Sequence, residues 1–196
     1  MHTPSDDFDI EQEDIVKIIK SKERVAETFG GKKFIWNKFN GDLACRVVKQ
    51  FLKRHMPTQV KVVGPSVYIE GYPAEFDLLL VAESALPAAF TNAYRDSEVQ
   101  FVIEVKSHGH MAPDYPEELL SQFRTLREQY PNVNAAYLTI RETWNPKREN
   151  SISYVKELKR ALEPQFRVFC LAEPRTNEII RGQWREFVSH LANTHS

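Results

Sequence analysis

The apolar patterns along the chain predict an α/β fold: a mixed central β-sheet flanked by helices on both faces, with an N-terminal helical extension. Three observations carry this. The runs 76–82, 99–106, 135–140 and 166–171 have strand length and are largely apolar on both faces, as a sheet covered on both sides requires. Helical spacings alternate with the last three, so the second half reads strand–helix–strand twice. The chain has 196 residues, enough for one domain with a substantial core.

Residues 1–12 read as an acidic flexible tail, and 13–196 as a single domain with its core at about 40–171. Ile15, Ile18, Ile19, Val25, Ala26 and Phe29 are spaced as on a helix, which Gly30-Gly31 stops. Phe34-Ile35-Trp36 reads as a short strand or a loop. Asn40 or Asp42 can cap a second helix, with Leu43, Val47, Val48, Phe51 and Leu52 on one side and Arg46, Lys49, Lys53 and Arg54 mostly on the other, ended by Pro57.

The period then changes to that of strands: Val60, Val62 and Val63, a break at Gly64-Pro65, and Val67, Tyr68 and Ile69. Gly71-Tyr72-Pro73-Ala74 is a turn, and Phe76 to Ala82 a strand. Glu83 to Glu98, rich in alanine and broken by Pro87, is a short helix or a flexible loop. On the strand Val99 to Lys106, the pattern sets Val99, Phe101, Ile103 and Val105 against Gln100, Val102, Glu104 and Lys106. Ser107 to His110 is a loop, and Asp114-Tyr115-Pro116-Glu117 a capping box with proline in the first turn. The helix behind it carries Leu119, Phe123, Leu126 and Tyr130 and ends at Pro131. Next come a strand at Ala135 to Ile140, a loop at 144–150, and a helix capped by Ser151 or Ser153 with Ile152, Val155, Leu158 and Leu162. A strand from Phe166 to Leu171 and a helix from Gln183 to Leu191 close the chain. Phe101, Tyr137 and Trp184 read as core aromatics.

Composition narrows the function. No apolar run approaches the roughly 20 residues that cross a bilayer, so no membrane partner is expected. The acidic, polar start lacks the pattern of a signal peptide, and Cys45 and Cys170 fit no metal-ligand spacing, so the expectation is a cytoplasmic protein with packed, reduced thiols. The formal net charge is −1, but residues 1–14 hold six acids and no lysine or arginine. The rest is a mildly basic body that permits contacts to nucleic acid without demanding them. No glycine-rich phosphate loop, GxSxG elbow or HExxH helix is present.

Two short stretches carry chemistry. Glu75-Phe76-Asp77 opens one apolar strand, and Glu104-Val105-Lys106 closes another. Side chains alternate faces along a strand, so Glu104 and Lys106 share a face, as do Glu75 and Asp77. Charged groups in the middle of a sheet are costly unless something pairs with them, and a divalent metal does so. Asp77, Glu104 and the backbone carbonyl of Val105 form a donor set for Mg²⁺ or Mn²⁺. Lys106 would orient a water, stabilise developing negative charge, or accept a proton. Together these make a site for phosphodiester hydrolysis.

Strand–Asp, strand–Glu-x-Lys, then a helix resembles the PD-(D/E)xK nuclease superfamily, which includes many restriction endonucleases. The resemblance covers roughly residues 40–171 and implies a restriction-endonuclease-like fold. It also implies a metal-dependent nuclease acting on DNA, with RNA left open. Asp77 then takes the place of the metal-binding aspartate, Glu104 of the second acid and Lys106 of the lysine; Phe76-Asp77 stands where the family has Pro-Asp. Many members add an acid on the helix before the sheet. Asp42 is the best placed, with Glu70 and Glu75 competing, although Asp42 reads more readily as a helix cap. Gln122 resembles a glutamine that some subfamilies place near the metal, but Leu126 stands where their tyrosine would be. The long gap from Asp77 to Glu104 implies an inserted loop. Many members act as dimers, which leaves a homodimer open.

Other readings compete. The same fold can serve as a catalytically inactive module for nucleic-acid binding or protein assembly, or the cluster can be a structural ion pair in a scaffold. His108 and His110 suit a solvated loop better than a ligand role. Trp144, Lys147 and Arg148 suit a surface loop or a nucleic-acid groove. The basic helix face from Arg46 to Arg54 is a solvated surface or a phosphate track.

Overall fold

The computed structural model describes residues 33–106, 115–141, 154–162, 165–173 and 178–193, with side-chain detail from residue 41 onward except at Tyr115, Tyr154 and Glu157. The acidic tail, the helix over 15–29, His108 and His110, the Asp114 cap, the 144–150 loop and the Ser151 or Ser153 cap lie outside the described residues.

A helix opens the described chain: α1, Lys33–His55. The expected break before Leu43 does not occur. Phe34–Trp36 and Asn40-Gly41-Asp42 are all helical, so neither Asn40 nor Asp42 caps a helix. Helix propensity is a weak prior, and an interior glycine costs only about 1 kcal/mol against alanine. The fully buried Ala44, Cys45, Val48 and Leu52 offset it by seating the helix on the sheet. Lys53, Arg54 and His55 sit in the last turn, where cations suit the helix dipole, and Pro57 follows.

Strands β1 (Val60–Val63), β3 (Leu78–Ala82), β5 (Val99–Lys106), β6 (Asn134–Arg141) and β7 (Arg167–Ala172) form one sheet in the order β1-β3-β5-β6-β7. The β1–β3 and β3–β5 pairs are antiparallel; β5–β6 and β6–β7 are parallel. Helices α2 (Tyr115–Gln129) and α3 (Tyr154–Leu162) make the two crossovers, and α4 (Arg181–Ala192) closes the chain. The sheet is therefore mixed, as the sequence predicts.

Each face of the sheet has its own core. On one, α1 and α4 pack on Leu78, Leu80, Phe101, Ile103, Val105 and Leu138. On the other, α2 and α3 pack on Leu79, Val81, Val102, Ala135 and Tyr137. Phe101, Tyr137 and Trp184 are fully buried, as expected of core aromatics. Val99 departs from the expected alternation. Leu80 pairs with Phe101 but the next residue, Val81, pairs with Val99, so Gln100 is the extra residue of a bulge. Val99 then joins the core of Leu79 and Val102 rather than that of Phe101.

The segment between β3 and β5 holds a short helix, one of the two expected alternatives, and an unexpected short strand. It contributes a short strand β4 (Ala93–Tyr94), parallel to β2 (Tyr68–Ile69), and a 3₁₀ turn at Asp96–Glu98. Val67 and Phe76 exchange backbone hydrogen bonds, which folds 68–75 back and delivers the chain to Asp77. Among the described residues no helix is long and apolar enough to cross a membrane.

Candidate active site

Leu78 pairs with Ile103, so Asp77 enters the sheet beside Glu104, just before β3 begins. Glu104 and Lys106 share the face covered by α2 and α3, opposite Tyr137 and Thr139 of β6. The Val105 N–H has run past the end of β3 and donates instead to Asp77 Oδ2, 2.8 Å away. Lys106 Nζ lies 3.6 Å from Asp77 Oδ2 and donates a short hydrogen bond to Glu104 Oε1. Asp77, 27 positions before Glu104 in the sequence, thus meets Glu104 and Lys106 at one end of two neighbouring strands. Their side chains are 27% (Asp77), 15% (Glu104) and 33% (Lys106) exposed, shielded from bulk water yet reachable by a solute.

Burial and like charge set the electrostatics of the cluster. Asp77 is raised from its ordinary value of 3.8 to about 6. Burial is the largest cause, followed by the Glu104 charge; Lys106 and the Val105 N–H pull the other way. A side-chain hydrogen bond between the two acids raises it further. One lysine therefore does not balance both carboxylates. Cys45 of α1 lies within the same field. Its thiol is pushed far above its usual range, first by burial and then by Asp77, with smaller contributions from Glu104 and Asp42 opposed by Lys106. It is an inert packed thiol, and neither Cys45 nor Cys170 is in a disulfide.

The other candidates stand apart from the triad. Asp42, one helical turn before Cys45, adds a small contribution to the field on that thiol. Among the described residues no group of three or more His, Cys, Asp or Glu is close enough to hold a metal, so Asp42 does not complete a set with Asp77 and Glu104. Glu75 is exposed, and its two oxygens accept from Ser66 Oγ (2.9 Å) and Tyr68 Oη (2.8 Å). Glu70 is exposed, and its carbonyl accepts from Tyr130 Oη. Gln122 is half-buried on the helix that covers the site face; its carbonyl accepts from Tyr72 Oη at 3.2 Å, and no hydrogen bond ties its amide to the triad.

One support escaped the sequence reading. Lys49 Nζ donates to the Gly64 carbonyl at 2.6 Å. Gly64 has φ +128, and a Cβ there would lie 2.4 Å from the Asp77 carbonyl oxygen. The backbone that carries Asp77 is therefore seated on a residue without a side chain. The signal was a glycine at the strand break, 13 residues before the acid; what it faces is not written in the sequence.

No family model and no curated protein sequence matches the chain. Among solved structures it is similar to NucC of P. aeruginosa ATCC27853 in the cAAA-bound form, with a TM-score of 0.59 and 11% identity over 96% of this chain and 92% of that one. The chain has the restriction-endonuclease-like α/β fold. NucC of E. coli MS115-1 is also similar. Its cAAA-bound form gives a TM-score of 0.46 and 13% identity over 79% of this chain and 72% of that one; its apo form gives 0.42 and 13% over 71% and 67%. At these identities the likeness is one of fold.

Proposed function

We propose that the chain is a metal-dependent nuclease that hydrolyses phosphodiester bonds of DNA at Asp77, Glu104 and Lys106. The observation that carries this reading is two half-buried acids brought together with a single lysine between them: Lys106 Nζ bonds Glu104 Oε1 and lies 3.6 Å from Asp77 Oδ2. Such an arrangement works against folding and is relieved by a cation. The donor set suits Mg²⁺ or Mn²⁺: Asp77, Glu104 and the Val105 carbonyl, with water at the remaining positions. The N–H and C=O of a strand residue point toward the same neighbouring strand, so the Val105 carbonyl faces the side on which its N–H meets Asp77. Bound there, such a metal would stabilise charge on the phosphate and acidify water.

The chain's own groups then have definite tasks. Lys106, held by Glu104, presents its ammonium where the attacking water and the phosphate oxygens meet. It orients the water and stabilises the negative charge that builds as the new P–O bond forms and the bond to the leaving oxygen breaks. Asp77, fixed by the Val105 N–H, would be one of the residues that hold the metal, its proton passing to solvent water. Gln122 is assigned a lesser part in holding the water.

The test is a panel of linear, circular, single-stranded and branched DNA with Mg²⁺ or Mn²⁺. It is run with and without cAAA, the ligand named in the P. aeruginosa NucC structure. Lys106→Ala should leave the fold intact and lower the cleavage rate by about 10²–10⁴-fold, with Gln122→Ala losing less. Equal cleavage by the native chain and Lys106→Ala on every substrate would overturn the assignment.

One observation favours a second reading. Lys106 already contacts both carboxylates, as a closed structural ion cluster would. An inactive binding or assembly module of this fold would take up no Mg²⁺ or Mn²⁺ near Asp77, which calorimetric titration against Asp77→Ala decides.

A further inference from the structure

Between Asp42 and Glu70 the sequence has no acid and five lysines and arginines: Arg46, Lys49, Lys53, Arg54 and Lys61. In a chain of net charge −1 this is a local concentration of one sign. The fold takes up Lys61, whose ammonium donates to the carbonyls of Glu83 and Ala85. Arg46, Lys49 and Lys53 recur at steps of three and four along α1, which lines them up on one stripe. Arg46 and Lys53 are exposed, and among the described residues no carboxylate pairs with either. The three crowd one another: burial and then the charges of Lys53 and Arg46 lower the pKa of Lys49. Like charges at these spacings disfavour the helix, and an anion laid along them relieves it.

The stripe also has a position. Its middle member bonds the Gly64 carbonyl, and Gly64 packs on the backbone of Asp77. Cys45, next to Arg46, lies in the field of Asp77, Lys106 and Glu104. From Arg46 to Lys53 the helix rises about 10 Å, roughly three base-pair steps of a DNA strand. We propose that Arg46 and Lys53 contact the phosphates of a DNA strand and lead its backbone to the Asp77–Glu104–Lys106 site, with Lys49 fastening the track to that site. The destination rests on the nuclease reading; the binding does not. An anionic membrane is a poorer fit, because the apolar side of α1 (Ala44, Cys45, Val48, Phe51 and Leu52) is buried in the core and leaves nothing to insert.

The full chain is titrated with a labelled duplex of about 30 base pairs in EDTA, over roughly 50 to 300 mM KCl. Arg46→Gln with Lys53→Gln should flatten the slope of log K against log salt by about 2 and weaken binding near 100 mM salt by about tenfold or more. Arg160→Gln with Arg181→Gln removes two exposed charges elsewhere and should change neither by as much. The inference falls if the stripe variant keeps the native slope, if it loses no more than the control, or if the native chain binds phosphatidylserine vesicles but no duplex. Failure of the nuclease reading is separate. A chain that binds DNA through the stripe and cuts nothing keeps this inference, and one that cuts DNA with binding indifferent to the stripe keeps only the other.

Discussion

Asp77 and Glu104 crowd one corner of the sheet, where burial and the Glu104 charge both disfavour the charged form of Asp77. The cost has a sign that can be measured. The folded chain holds the Asp77 proton up to about pH 6, whereas an unfolded aspartate releases it near 3.8. Between those values the folded state binds more protons, so this group's contribution to stability falls as pH rises and the full cost is present at pH 7. In metal-free protein, Asp77→Asn should therefore raise stability at pH 7 by on the order of 1 kcal/mol, with the gain shrinking toward pH 4. Urea unfolding of both proteins at pH 7 and pH 5 checks this; a variant less stable than the native chain at pH 7 contradicts the cost assigned to Asp77. The identity of these residues was legible in the sequence. Glu-x-Lys at the end of an apolar strand must share a face, and an acid at the mouth of a second apolar strand needs a partner. The third acid was not legible: Asp42 and Glu75 differ in tertiary surroundings, not in local pattern, and neither joins the triad.

At the scale of elements, the turn between β1 and β2 sets the position of Asp77. Gly64→Ala would press a Cβ against the Asp77 carbonyl oxygen, 2.4 Å away, at a φ of +128 that an L-residue rarely adopts. The expected loss is about 2–4 kcal/mol in denaturant unfolding, together with weaker metal uptake at the displaced acid. Wild-type stability in that variant would mean that the turn does not hold Asp77. Strand and helix positions after residue 60 follow the sequence periods closely, because each element buries one regular face. The errors fall where tertiary contact overrode a local signal. Asn40-Gly41-Asp42 looks like a helix start, but the helix runs through it. The bulge at Gln100 sends Val99 to the opposite core from Phe101.

The described residues form a sheet with a helical core on each face, and the site lies at the end of the sheet where β3 begins and β5 runs on past it. The α1/α4 core should be essential to that arrangement. Trp184 is fully buried, edge-on to Phe51, which is why Trp184→Ala should cost about 3–5 kcal/mol by denaturant unfolding. A cost below about 1 kcal/mol would mean that α4 does not hold the sheet against α1. By itself the sequence determined the class of fold, the order of the strands after residue 60, and which acid and lysine types are available for chemistry. Hydrophobic period and turn residues are local properties that a single chain displays. Only the tertiary structure decided that β3 lies beside β5 in the register that sets Asp77 against Glu104, and that Gly64 leaves room for it. Strand neighbours and register are chosen by long-range packing across two cores, and no local pattern records that choice.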